Sequence, residues 1–307
     1  MADVISEILR RARLTGCVYF QRDFFAPWSM RMADTGFAQF HVVTSGGCVV
    51  ESDGQVRNLG TGDVVFFPHG QAHILSDTLG RAPVEGPDFM ASLASNAPMF
   101  AQGHSPTRMI CGHYAYRADN AHPLLDDLPE TIHVTADQLG GSSATPALLQ
   151  LIMGELSRQE PGVEIAVERL AEVLLLQVLR VHYDAQTHPE GFFAGLRDTR
   201  LSRAISRIHA DYARPLTLAD LATSAAMSRS AFAQHFSTVV RMSPIDYLQL
   251  WRMLVARDLL QSTDRPVCDI AETVGYGSDI SFSRAYKRRF GVSPSFARSD
   301  AASALVD

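Results

Sequence analysis

A duplication in the last third of this 307-residue chain constrains its fold more than any other feature. Set one above the other, "LTLADLATSAAMSRSAFAQHFSTVVRMSP" and "RPVCDIAETVGYGSDISFSRAYKRRFGVSP" align Ala222 with Ala271 at an offset of 49. After a one-residue insertion in the turn, Phe232 falls on Phe282, Phe236 on Tyr286 and Ser243-Pro244 on Ser293-Pro294, at an offset of 50. Each copy reads as a short helix with a Leu-Ala or Ile-Ala core pair, a turn, and a second helix opened by a serine N-cap, Ser228 or Ser278. That is helix-turn-helix grammar written twice. Between the copies, "PIDYLQLWRMLVARDLLQS" can form one helix of 19 residues, roughly 28 Å long at about 1.5 Å per residue. Such a spacer can hold two recognition helices about one DNA turn apart, roughly 34 Å, in successive major grooves.

Charge agrees with that use. Residues 1–199 carry 13 Lys and Arg against 23 Asp and Glu, whereas residues 200–300 carry 14 against 9. A chain whose overall pI is about 6.0 therefore joins a basic end to an acidic remainder, which points to a polyanion as the partner of one part only. The segment "AETVGYGSDISFSRAYKRRFGVSP" resembles the signature of the AraC/XylS family of bacterial transcription regulators in several features. These are its Ala, its Gly-aromatic turn, Ser-x-Phe-x-Arg, an aromatic followed by Lys, and Phe-Gly-x-Ser-Pro. The likeness covers both helix-turn-helix units in order. It implies double-stranded promoter or operator DNA as partner and RNA polymerase as a second one. One departure is Arg241, where the first copy of the family pattern has Gly; its counterpart Gly291 is kept. A side chain at a left-handed helix stop costs on the order of 1 kcal/mol.

On the second recognition helix Arg284 is long enough to take a guanine edge bidentately, and its repeat equivalent Gln234 suits an adenine edge. The resemblance implies base contacts at the same two positions, with Ser230, Ala233, Asp279, Ile280 and Ser281 near the groove. Lys287, Arg288 and Arg229 suit phosphates, where they would fix register without reading sequence. A solvated helix face is the competing reading for each. Phe232, Phe236, Phe282, Tyr286 and Phe290 recur at fours and read as core.

The N-terminal part has a different texture. From about residue 16 to 118, short β-branched runs such as "CVYFQ", "AQFHVV" and "DVVFFP" alternate with Gly, Pro and Asp, the pattern of a sandwich or barrel. Gly62 to His73 fits G-x5-P-x-G-x2-H, which resembles the second motif of the cupin barrel. In metal-binding cupins a first motif supplies His-x-His and Glu; here Gln39 and His41 stand on one strand face in its place. Two readings stay open. His41, His73 and His113 could converge as three ligands of a divalent zinc or iron, or His73 caps a corner while His41 lines a pocket with Gln39 and His113. Cys17 and Cys111 fall on predicted strands, so that a redox switch stands beside the commoner reading of inert buried thiols. From about 146 to 183 the chain turns helical, and "VERLAEVLLLQVLRVHY" puts Val167, Leu170, Leu174, Val178 and Val181 on one face. A helix this apolar asks for burial on more than one side, by the barrel and by a second copy in a homodimer. Residues 184–197, with Gly, Pro and polar content, read as a linker.

The expectation is a two-domain α+β protein. A cupin-like β-barrel with flanking helices occupies 1–183, a linker 184–197, and an all-α AraC-type domain with two helix-turn-helix units joined by a long helix 198–300. It would be a cytoplasmic, sequence-specific transcriptional regulator whose barrel senses a small-molecule effector, a metal or an oxidant. No cofactor is required, and no apolar run approaches the roughly 20 residues that span a bilayer. No nucleophile paired with a base and no carboxylate pair in motif context argues for an enzyme. The alternatives are a cupin metalloenzyme with an accessory DNA-binding domain and a regulator whose barrel only dimerises.

Overall fold

The structure, a computed structural model, describes residues 3–12, 15–93, 95, 98–115, 122–140, 144–158, 160–185 and 191–303. Along the chain run α1 (Val4–Ala12), β1 (Thr15–Ala26), β2 (Ser29–Met32), β3 (Ala38–Ser45), β4 (Gly47–Ser52), β5 (Gln55–Gly60), β6 (Val64–Phe67), β7 (His73–Ser76), β8 (Val84–Glu85), α2 (Gly86–Ser92) and β9 (His104–Ala115). There follow α3 (Pro123–Asp126), β10 (Ile132–Val134), α4 (Ala136–Gly140), α5 (Ala144–Leu156), α6 (Val163–Ala185), α7 (Gly191–Arg197) and α8 (Thr199–Asp211). The chain closes with α9 (Leu218–Ser224), α10 (Arg229–Val240), α11 (Pro244–Ser262), α12 (Val267–Thr273), α13 (Asp279–Phe290) and α14 (Pro294–Ser303). These elements gather into two compact units. One holds β1 to β10 with α2, α4, α5 and α6; the other holds α1, α3 and α7 to α14.

In the β-rich unit the strands form two five-stranded sheets, ordered β1-β9-β3-β6-β10 and β5-β4-β7-β2-β8. This corrects the expectation of a closed barrel: among the described residues no strand ladder joins one sheet to the other, and the layers meet as a sandwich. Phe24, Val43, Val65, Met109 and Cys111 of the first sheet share one core with Met30, Val50, Leu59 and Leu75 of the second. The sandwich also outruns the expected limit at 118, because β10 pairs with β6. On its other face the first sheet carries Phe40, Phe66 and Tyr114. There the Tyr114 hydroxyl donates to the Ala171 carbonyl of α6 (2.8 Å). The buried side of α6 is Val167, Ala171, Leu174, Leu175, Val178 and Leu179; Leu170 and Val181 of the expected face are only half-buried. Ala171 takes the closest place because Gly16 lets the helix approach, a Cβ there lying 2.7 Å from the Ala171 Cβ.

The corner between β6 and β7 is built as its glycines and histidine suggested. Gly70 turns with φ +73°, and a Cβ on it would sit 2.4 Å from the Phe37 carbonyl oxygen. Asp63 accepts from the Gly60 and Ala136 amides (3.0 and 2.8 Å) and pairs with His133 (3.1 Å). Burial alone would raise its carboxyl, but those bonds outweigh burial and hold it below the usual range.

In the helical unit the duplication is visible in the hydrogen bonds. Met227 N donates to Ala222 O (3.0 Å) and Tyr276 N to Ala271 O (2.9 Å), closing the two turns alike. Ser228 and Ser278 cap α10 and α13, each accepting from the amide three residues on at 3.3 Å. Both recognition helices stop in the left-handed region, Gly291 at φ 76° and Arg241 at φ 59°, so the side chain at Arg241 is carried at a strained stop. Of the stretch expected as a linker, 184–185 continue α6 and 191–197 form α7. The cause is its aromatic pair, since Phe192 and Phe193 are buried in the helical unit and the Phe192 amide donates to Asp127 (2.6 Å).

Candidate nucleic-acid interface and sensor cavity

Each recognition helix divides cleanly into a core face and a free face. On α10, Phe232, Phe236 and Val240 are buried while Arg229, Ser230 and Gln234 are exposed and Ala233 is half-buried. On α13, Phe282 and Tyr286 are buried while Asp279, Ile280, Ser281, Arg284, Lys287 and Arg288 are exposed. The residues expected at DNA thus share the outward faces of the two helices. Ile280 is 67% exposed at the start of α13, an apolar side chain of the kind that can meet a thymine methyl.

What holds these helices is α11. Arg252, buried with only 7% exposure, donates from Nε to the Tyr212 carbonyl (2.6 Å) and from Nη2 to the Arg214 carbonyl (2.7 Å). One guanidinium fork thereby ties the spacer to the end of α8. One turn earlier on α11, Gln249 accepts from the Tyr276 hydroxyl of the second turn (2.6 Å). Asp198 caps α8, accepting from the Arg200 and Leu201 amides (2.8 and 3.2 Å), and meets His235 of α10 at 2.6 Å. Burial would raise this carboxyl, yet the His235, Arg200 and Leu201 bonds hold it well below its ordinary value.

Sequence reasoning missed a buried polar relay inside this unit. The Leu124 amide donates to His122 Nδ1 (3.0 Å), so that His122 Nε2 carries its proton toward the Tyr247 oxygen (3.1 Å). The Tyr247 hydroxyl then donates to His209 Nε2 (2.7 Å), and His209 Nδ1 donates to the Glu7 carboxylate (3.0 Å). Four elements or their caps are joined in one direction: α3, α11, α8 and α1. Burial pushes both imidazoles below their ordinary value, His122 well below, which keeps them neutral as the relay requires. The His209 bond in turn lowers the Glu7 carboxyl. The only sequence signals were a histidine on the apolar face of α8 and the Tyr247/Trp251 pair one turn apart on α11.

In the sandwich, Gln39, His41 and His113 lie on the inner face of the first sheet, Gln39 opposite His113 and His41 opposite Cys111. His73 belongs to β7 of the second sheet, and its Nε2 meets His41 Nε2 at 2.8 Å, a hydrogen bond from one sheet to the other. His73 also stacks on Phe67 with ring centroids 3.7 Å apart. His113 stands elsewhere, stacked on Tyr19 at 4.9 Å and beside Phe37 at 5.6 Å. Two of the three expected ligands are therefore brought together, and they spend the shared edge on each other. Among the described residues no group of three or more His, Cys, Asp or Glu is placed to hold a metal. Burial lowers His73 to about 4 and takes His41 well below its usual value.

Beside His41 opens a cavity of about 220 Å³, walled by Phe20, Met30, Met32, Pro87, Met90 and Cys111, with Tyr19 and Thr35 at hand. Of the four expected pocket residues only His41 lines it. Gln39 instead donates to Thr35 Oγ1 (2.9 Å). Cys17 and Cys111 sit on the adjacent strands β1 and β9, Cys17 opposite His113. Burial raises both thiols, Cys111 well above its ordinary value, and so disfavours the reactive thiolate.

Residues 3–184 match the Cupin family and residues 221–300 match the Helix-turn-helix domain family. An AraC-like transcription regulator of Streptomyces lividans is 32% identical over 270 residues, which is 87% of this chain and 88% of that one. Its counterpart in Streptomyces antibioticus matches to the same extent. The HTH-type transcriptional regulator AlkR of Acinetobacter baylyi is 29% identical over 309 residues, 95% of this chain and 97% of its own length. Two serine-capped recognition helices with free polar faces, on a chain whose first part is a cupin domain, have one joint meaning: this protein belongs to the AraC family of DNA-binding transcriptional regulators.

Proposed function

We propose that the chain is a ligand-responsive regulator, in which a small molecule bound in the sandwich changes how the two recognition helices engage an operator. The observation that carries this reading is the apolar cavity beside His41, a built space in the unit that does not carry the recognition helices. Arg284 and Gln234 read base edges, Ser230, Ala233, Asp279, Ile280 and Ser281 approach the groove, and Arg229, Lys287 and Arg288 hold phosphates. Their exposure on two equivalent helix faces supports these roles. RNA polymerase is the second partner, and no catalytic activity is assigned. Association as a homodimer through α5 and α6 is supported by Leu151, Ile165 and Val173, which are 58%, 51% and 43% exposed.

The test is operator binding by the full chain with and without compounds that raise its melting temperature. Binding should be specific for one duplex, fall steeply with salt, and shift when such a compound is present. A compound that stabilises the sandwich yet leaves operator affinity unchanged at every concentration would reduce that domain to a packing module.

A further inference from the structure

The hydrogen bonds of the histidine pair fix the tautomer of His41, a residue that lines the cavity. His73 Nδ1 lies 2.9 Å from the Gln71 carbonyl oxygen, which can only accept, so the His73 proton is on Nδ1. A neutral His73 then has a bare Nε2. The 2.8 Å contact between the two Nε2 atoms needs one proton, which must come from His41. His41, neutral in its turn, is left with a bare Nδ1. Burial of both rings keeps them uncharged. His41 is 1% exposed and lines the cavity, and its Nδ1 has no hydrogen-bond partner among the described residues.

A buried acceptor without a donor is costly. Water answers it poorly here, since an ordered water wants two to four polar partners. Most of the cavity wall is carbon and sulfur, the Thr35 hydroxyl is already engaged by Gln39, and among the described lining residues Tyr19 brings the one other side-chain hydroxyl. No charged side chain lines the cavity among the described residues, so a carboxylate or an ammonium would be stripped of water without a counter-charge. A cavity of roughly 150 Å³ suffices for a benzene ring; this one, at about 220 Å³, has room for a ring with a short chain.

We infer that the cavity takes an uncharged, apolar, single-ring or short-chain molecule carrying one hydroxyl donor, an alkylphenol or an alcohol, whose O–H is bound by His41 Nδ1. This rests on the sandwich being the effector domain, and names the class of effector.

The experiment is calorimetric titration of the full chain with three probes of one shape: 4-propylphenol, its methyl ether and 4-propylbenzoate. The phenol should bind about ten-fold tighter than the ether, the worth of one buried hydrogen bond, and the benzoate should bind weakest. In His41→Leu the phenol should fall to the affinity of the ether while the ether keeps its own. Because that change also breaks the bond between the sheets, Met90→Trp is the second variant. It fills the cavity without touching the imidazoles and should weaken phenol and ether together. Equal binding of phenol and ether, preference for the benzoate, or no binding of any of the three by the folded wild type overturns the inference. Operator affinity measured in parallel separates the two readings. A His41-dependent preference for the phenol with operator binding unmoved removes the effector role and leaves the ligand class standing. An operator response to the benzoate alone does the reverse.

Discussion

Arg241 and Gly291 occupy the same left-handed stop in the two copies, and only one of them is free of a Cβ. Arg241→Gly should therefore raise stability toward urea by about 1 kcal/mol, with operator affinity retained; a loss of stability would mean that the arginine's own interactions outweigh the strain. Arg284 poses the converse question, since its backbone is ordinary and only its exposed head matters. Against a set of single-base operator variants, Arg284→Ala should lose roughly 1 to 3 kcal/mol at one base position and relax preference there. Uniform weakening across the set would make Arg284 a phosphate contact. Exposure of Arg284 and burial of Phe282 follow from the spacing of aromatics at fours, which is why these roles could be written from the sequence. The proton on His41 could not, because it depends on a carbonyl two residues before His73 and on a strand in the other sheet.

At the scale of elements, the relay from Leu124 through His122, Tyr247 and His209 to Glu7 holds α1 and α3 to the helical unit, although both come from the part of the chain around the sandwich. Tyr247→Phe removes a single oxygen and almost no volume, yet it strands a donor on His122 and an acceptor on His209. Urea unfolding should show a loss of about 1 to 3 kcal/mol, and hydrogen exchange in α1 should quicken; an unchanged midpoint would show that the relay is ornamental to stability. The first helix offered no sign of this partnership. Its amphipathic pattern, with Val4, Ile8 and Ala12 buried, says that it must cover something but not what.

For the whole molecule, four histidines that are buried among the described residues contribute to the response to acid. Burial lowers His41, His73, His122 and His209 in the folded state, so the fold favours their neutral forms. The sign follows: stability is whole above the unfolded value of about 6.5 and is lost as pH falls below it, because the unfolded chain takes up protons first. For His73, with a folded value of about 4, the loss at about pH 5.5 is on the order of 1 kcal/mol. Urea midpoints compared at about pH 7.5 and pH 5.5 should fall markedly, and His73→Phe should flatten the dependence; equal midpoints at the two pH values would contradict burial of neutral imidazoles.

The duplication, the serine caps, the split of charge and the β texture are local properties, set by spacing along the chain. They determined the two-part architecture, the paired helix-turn-helix units and the outward faces of α10 and α13. Local periodicity says which side of an element is apolar, and nothing about which distant element covers it. Hence only the tertiary structure decided that the strands close as a sandwich, that 191–197 pack as a helix, and that α1 belongs with the helical unit. It also decided that His41 and His73, 32 residues apart, meet across two sheets, and that a ring with one unpartnered nitrogen lines a cavity. Long-range contacts of that kind depend on loop closure and packing, and no short window of sequence encodes them.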